Sequence, residues 1–200
     1  SDIVNQIREK SKSDTLFEHS EAIVQPLLNE LNSSIFDLYE LTHFERNLII
    51  DRCNFTIDYY YRGGKSVGEQ YIRDRNYLSD YILAFKSYWH RNLDEGESFS
   101  QTFLTSRDRT MIGVAFKLNK IGEEGNFIKT ELDISEFYKL IENEISRNIF
   151  TEGLFRRVTD DQIIIIKRNR KSNWTKTEAK IDADATFLQI FKTSTNHTSQ

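Results

Sequence analysis

An α+β fold is predicted: a helical arm over residues 1–64, a mixed α/β sandwich over 65–191 with a mainly antiparallel sheet of about four strands, and a disordered tail over 192–200. Three observations predict it. Apolar residues recur at helical spacing through the first ninety positions. The period then changes to two around Ile112, Val114, Phe116 and Leu118, which alternate with Gly113, Ala115 and Lys117. Finally, Ile163-Ile164-Ile165-Ile166 is a short β-branched run between polar residues, the pattern of a buried strand.

The elements follow in order. From Thr15 to Leu31 the residues Leu16, Ile23, Leu27, Leu28 and Leu31 are spaced near 3.6, with Pro26 expected to kink or split the helix. Thr42 and Glu45 form a T-x-x-E capping box ahead of Leu48, Ile49, Arg52, Cys53 and Ile57, and Gly63-Gly64 ends that helix after Tyr59-Tyr60-Tyr61. A third helix, about Arg75 to Asn92, carries Leu78, Tyr81, Ile82, Phe85, Tyr88 and Trp89 on one wide face suited to packing on a sheet. Residues 99–105 then pair with the 112–118 strand through the turn Arg107-Asp108-Arg109. Asp133 with Glu136 opens a helix bearing Phe137, Leu140, Ile141 and Ile145. A second hairpin joins 154–158 to 162–167, and Thr175 with Glu178 caps a last helix carrying Ile181, Ala185, Leu188 and Phe191.

Composition bounds the possibilities. With 200 residues, 38% hydrophobic, and 14 Phe, 9 Tyr and 2 Trp, the chain can bury a core despite a mean hydropathy of −0.58. A single cysteine, Cys53, excludes an internal disulfide and a CxxC motif, and its place on an apolar helical stripe predicts a small core residue in a protein of the cytoplasm. No apolar run reaches the roughly 18 residues a membrane span needs, and no secretory signal pattern opens the chain, so no membrane partner is expected. The first residue, Ser1, is not methionine, which predicts a piece cut from a longer polypeptide.

Charge is unevenly spread. Between Lys167 and Lys180 the cations Lys167, Arg168, Arg170, Lys171, Lys176 and Lys180 face one acid, Glu178, so a local charge of +5 inside a chain of −4 leaves −9 elsewhere. A polyanion would be met there. Catalytic patterns are missing: Lys65-Ser66 lacks the earlier glycine of a phosphate loop because position 59 is Tyr59, and no G-x-G occurs. His19, His43, His90 and His197 have no metal-ligand spacing, and Cys53 has no evident base. Asp160 or Asp161 with Glu178-Ala179-Lys180 imitates a nuclease set, but Glu178 belongs to a helix cap. No catalytic residue, metal or cofactor is assigned.

Two segments carry a resemblance. Ile35-Phe36-Asp37-Leu38-Tyr39-Glu40-Leu41-Thr42, continuing to Glu45 and Ile49, is similar to the I-x-x-L-Y-x-L-T-x-x-E-x-x-x-I run of bacterial restriction-modification DNA adenine methyltransferases of the N-6 DNA methylase family. Lys167, Asn169, Trp174-Thr175, Ala179 and Asp182-Ala183-Asp184 resemble that family's closing I-I-K-x-N-x-x-x-x-W-T-x-x-x-A-x-x-D-A-D signature. With Pro26 its one proline, the chain cannot hold the family's Asn/Asp-Pro-Pro-Tyr/Phe catalytic motif. The resemblance therefore implies a noncatalytic C-terminal module, with S-adenosylmethionine bound by the parent enzyme rather than here. It also implies DNA as a partner, together with the methyltransferase catalytic domain or a partner subunit, and the basic run offers Lys167, Arg168, Arg170, Lys171, Trp174 and Lys176 as the contacts. The structural alternative has Trp174 anchoring the strand-to-helix connection in the core and the cations solvating an exposed turn. The alternative reading is a docking module, whose apolar helical arm joins the enzyme to a partner subunit or a dimer mate.

Overall fold

The computed structural model describes residues 5–6, 17–120, 132–133, 154–159 and 161–197, and divides the chain into two units, Ser1–Ile50 and Asp51–Gln200. In the first unit, α1 (Phe17–Leu38) runs unbroken through Pro26 and extends seven residues beyond the expected end at Leu31. Its stop is chemical. Glu40 adopts a left-handed φ of 52°, and the amides of Glu40 and Leu41 donate to the carbonyls of Asp37 and Phe36, the paired bonds of a Schellman turn. Thr42 then opens α2 (His43–Asp51): its amide donates to Glu45 Oε2 at 2.8 Å, and the Glu45 amide donates to Thr42 Oγ1 at 3.3 Å. The Thr42 hydroxyl, donating to Glu45 Oε2 at 2.7 Å, and then the Thr42 amide hold the exposed Glu45 carboxyl below its ordinary range. The Leu-Tyr-x-Leu-Thr-x-x-Glu run is thus a helix stop followed by a helix start.

The second unit begins at Asp51, not near residue 65, because the last turns of the arm are tied into it. Asp51 Oδ2 accepts the Thr177 amide, Asp58 Oδ2 accepts the Val67 amide at 2.6 Å, and Gly68 lies so close to Phe55 that an added Cβ would sit 3.1 Å from the ring. A π-helical turn (Arg52–Ile57) and α3 (Asp58–Arg62) precede Gly63, whose φ of 55° ends the helix. Cys53, expected in the core, is exposed. The stripe to which it belongs faces outward at Ile57 as well.

A 3₁₀ turn (Arg75–Leu78) leads into α4 (Ser79–His90). Five strands follow: β1 (Ser98–Thr105), β2 (Met111–Asn119), β3 (Leu132–Asp133), β4 (Leu154–Val158) and β5 (Gln162–Arg168), in the order β3-β1-β2-β5-β4. All neighbours are antiparallel except the two-residue β3, which runs parallel to β1. Asp133, in β3, pairs with Thr105; the helix that it and Glu136 are expected to open, with Phe137, Leu140, Ile141 and Ile145, lies outside the described residues. The last helix, α5 (Lys176–His197), continues past the expected boundary at Phe191.

Strand parity builds the core. On one face Ile112, Val114, Phe116, Ile163 and Ile165 meet Tyr81, Ile82, Phe85 and Trp89 of α4 and Ala179 and Ala183 of α5. Phe85 stacks on Phe116 at 4.2 Å, and Trp89 stacks on Phe187 at 3.9 Å. The opposite face buries Leu104, Ala115, Ile164 and Ile166. Gly113 is required in β2, since a Cβ there would lie 2.8 Å from the Ile165 carbonyl and 2.9 Å from Ile166. The fold is α+β, with a mainly antiparallel sheet covered on one face by two helices.

Candidate functional site

Strand parity also sorts the basic segment. Lys167 follows Ile163 and Ile165 on the face beneath the helices and is 3% exposed. Its ammonium contacts Asp182 Oδ2 at 2.6 Å, Glu178 Oε2 at 2.8 Å and the Asn173 carbonyl at 3.1 Å. Asp182 is fully buried and also binds the Arg156 guanidinium at 2.6 Å and accepts the Tyr81 hydroxyl at 2.5 Å. Burial, and then the Asp182 carboxylate, push the Tyr81 phenol well above its ordinary pKa. Glu178 consequently completes only half a capping box: its amide donates to Thr175 Oγ1, while its carboxylate turns to Lys167.

Trp174 is buried too, edge-on to Tyr81 at 4.8 Å, with Nε1 donating to the Arg168 carbonyl at 3.3 Å. Lys167 and Trp174 are therefore corrected from the surface set: both are committed to the core and have no face to offer DNA. Asp184 pairs with Lys180 one helical turn away. Among the described residues, no three His, Cys, Asp or Glu side chains gather as a metal set.

The other members of the expected set lie outside the core. Arg168 is exposed. Arg170 pairs with Glu69, Lys171 donates to Gln70 Oε1 at 3.0 Å and lies over the Tyr77 ring, and Lys176 pairs with Asp80 at 3.2 Å. These are surface contacts of small energetic weight. The turn that carries them is held by its backbone: Lys171 N donates to Gln70 O, Ser172 Oγ donates to Gly68 O, and a Cβ on Gly68 would come within 3.2 Å of Ser172.

Asn169 is the organiser of this end of the sheet. It is 2% exposed; its Oδ1 accepts the Ile72 amide at 2.9 Å, and its Nδ2 donates to the Arg109 carbonyl at 2.9 Å and the Ile72 carbonyl at 3.4 Å. One side chain thereby joins the β5 end, the β1–β2 turn and the segment before α4. Arg107, Arg109, Arg73, Arg75 and Arg168, all exposed, are brought to the same end of the sheet from three separated stretches of chain. Nearby carboxylates have local duties: Asp74 accepts the Asn76 amide, and Asp108 accepts Ser106 Oγ and Thr110, bonds that hold its carboxyl below the ordinary range.

Between these segments lies a cavity of about 480 Å³ lined by Tyr71, Arg73, Arg75, Phe103, Arg109 and Asn169 among others. Arg75 lies over the Phe103 ring at 6.0 Å. Sequence reasoning missed these residues. Arg107-Asp108-Arg109 reads only as a polar turn, and the alternation Tyr71, Arg73, Arg75 leading into the 3₁₀ turn is the one signal that was present.

Compared with models of protein families, with curated proteins and with solved structures, this chain matches none.

Proposed function

We propose that this chain is the noncatalytic C-terminal accessory module of a restriction-modification DNA adenine methyltransferase, and that it contributes contacts to the DNA backbone. The observation that carries the reading is the gathering of exposed arginines at one end of the sheet by Asn169, a residue of the signature that resembles those enzymes. Guanidinium groups are suited to phosphate, and contacts of this kind position a protein on DNA without reading sequence. Arg168, Arg170, Lys171 and Lys176 remain in the contact set, with Arg107 and Arg109 added beside them. Chemistry and S-adenosylmethionine binding belong, on this reading, to the rest of the parent enzyme or to a separate subunit, in a cytoplasmic setting. No described helix is long and apolar enough to cross a membrane. Because the whole chain is acidic at −4, affinity of the module alone is expected to be weak.

The test is fluorescence anisotropy with short duplex DNA at low and physiological salt, beside an Arg168→Ala/Lys171→Ala variant. Binding should weaken steeply with salt, and the variant should lose about 0.9 of the log–log slope for each phosphate it no longer neutralises. A salt-independent signal, or an unchanged variant, would reject the reading.

A second reading, docking onto a partner subunit or a dimer mate, is favoured by a different observation. Leu38 and Tyr39 of the first unit are 77% and 71% exposed, and Tyr60 and Tyr61 of the second are 83% and 78% exposed. Such association would tolerate salt and fail on polar substitution of those residues.

A further inference from the structure

Among the exposed arginines, Arg109 occupies an unusual backbone state. Its φ is 58°, in the left-handed region where the side chain crowds its own backbone and where glycine or asparagine would be the easier residue. Arg109 is one of two non-glycine residues with positive φ among those described. The other, Glu40, closes a helix; Arg109 instead projects beside a cavity. The β1–β2 turn sets that state, with Arg109 N donating to Ser106 O, and the same turn places Arg109 at the cavity rim.

The cavity combines guanidinium groups with aromatic surface. Its volume, about 480 Å³, falls in the range of small-ligand pockets, roughly 300–1,000 Å³. Arg73 and Arg109 line it from separate segments and, among the described residues, neither has a carboxylate partner. Tyr71, 56% exposed, adds an aromatic surface, and Phe103 lies deeper in the wall. Asn169 hydrogen-bonds both walls through their backbones, so the cleft is set before any ligand arrives.

We propose that this cleft binds a nucleotide unit, its phosphate held by Arg73 and Arg109 and its base laid against Tyr71. Cations following a backbone beside an aromatic platform are the common device for single-stranded nucleic acid, whose bases are free to stack. In duplex DNA the base faces are covered, so the ligand class is a single-stranded or extrahelical nucleotide. A free mononucleotide shares the same chemistry. The inference deepens the DNA reading above, yet it can be tested without it.

The experiment uses the full chain and three probes: a short labelled single strand, the same strand as a duplex, and dAMP. Arg73→Ala, Arg109→Gly and Tyr71→Ala are compared with Arg168→Ala/Lys171→Ala. The single strand should bind more tightly than the duplex, and each cleft variant should weaken it several-fold, the arginine variants lowering the salt slope by about 0.7 for each phosphate they no longer neutralise. Arg109→Gly should do so with an unchanged or raised Tm, because glycine relieves the left-handed backbone. Chemical-shift changes caused by dAMP near Tyr71 and Arg109, abolished in Arg109→Gly, identify a site that also takes the free nucleotide. If neither DNA form binds but dAMP does, the DNA reading fails and the cleft stands. If the turn variant abolishes duplex binding while the cleft variants leave both strand and dAMP binding unchanged, the DNA reading stands and the cleft proposal is overturned. Absence of binding by all three probes overturns both.

Discussion

Lys167 and Arg168 are adjacent cations in one basic run, yet they have opposite surroundings. Lys167 points beneath α5 into a buried cluster with Asp182, Glu178 and Tyr81, whereas Arg168 faces water beside the β1–β2 turn. The difference is one step of a strand, since successive side chains point to opposite faces. A basic run that ends a strand is therefore two populations, one structural and one available to a ligand. Counting charges merges them; parity separates them.

Breaking the buried side should have the largest effect. Asp182→Ala leaves Lys167 and Arg156 without their shared carboxylate, and truncating one partner of a buried ion cluster costs about 3–5 kcal/mol. Urea denaturation measures that loss. Lys167→Met/Asp182→Asn should recover most of it, because the Lys167 and Asp182 charges then leave together, an amide oxygen in the Oδ1 place still accepts from Arg156, and the amide nitrogen in the Oδ2 place donates to the Tyr81 hydroxyl oxygen. Failure of the pair to recover would mean that the cluster has a role beyond mutual neutralisation.

At the boundary between the two populations, Asn169→Ala should cost about 1–3 kcal/mol through the Ile72 and Arg109 backbone groups that it leaves unpaired. It should also weaken nucleic-acid binding without removing a charge. Equal loss of stability with full binding would show that the exposed arginines do not depend on this bracket.

A pH titration sharpens the contrast from the alkaline side. Burial raises the Tyr77 phenol to about 12 and the Tyr81 phenol well above 10.0. A folded pKa above the unfolded one means that stability is complete below about pH 10 and is lost as pH rises through the folded values. Tm should fall across pH 10 to 12, and less so in Tyr81→Phe. The smallest effect belongs to the exposed side: Arg168→Ala/Lys171→Ala should change stability by no more than about 0.5 kcal/mol, as surface substitutions generally do.

Much of this was legible in the sequence. Both hairpins, the apolar face from Leu78 through α4 to Trp89 and the Thr42–Glu45 box follow from local period and capping chemistry. Lys167 was legible too, since it shares the parity of Ile163 and Ile165, but charge outweighed parity in reading it as a surface residue. Cys53 shows the reverse error: an apolar stripe identifies a face without saying what covers it. What local pattern could not supply is long-range. The amide of Asn169 meets Ile72 from 97 positions away and Arg109 from 60, and the left-handed state of Arg109 is set by that turn rather than by its residue type.

The most direct measurement is the affinity of Lys167→Met/Asp182→Asn for short duplex DNA across a salt series, compared with the unsubstituted chain and with Arg168→Ala. The account predicts an unchanged Kd and salt slope for the buried pair and a weaker, flatter response for Arg168→Ala. A folded Lys167→Met/Asp182→Asn protein that loses affinity as Arg168→Ala does would contradict it, because a lysine enclosed by Asp182 and Glu178 would then be a DNA contact.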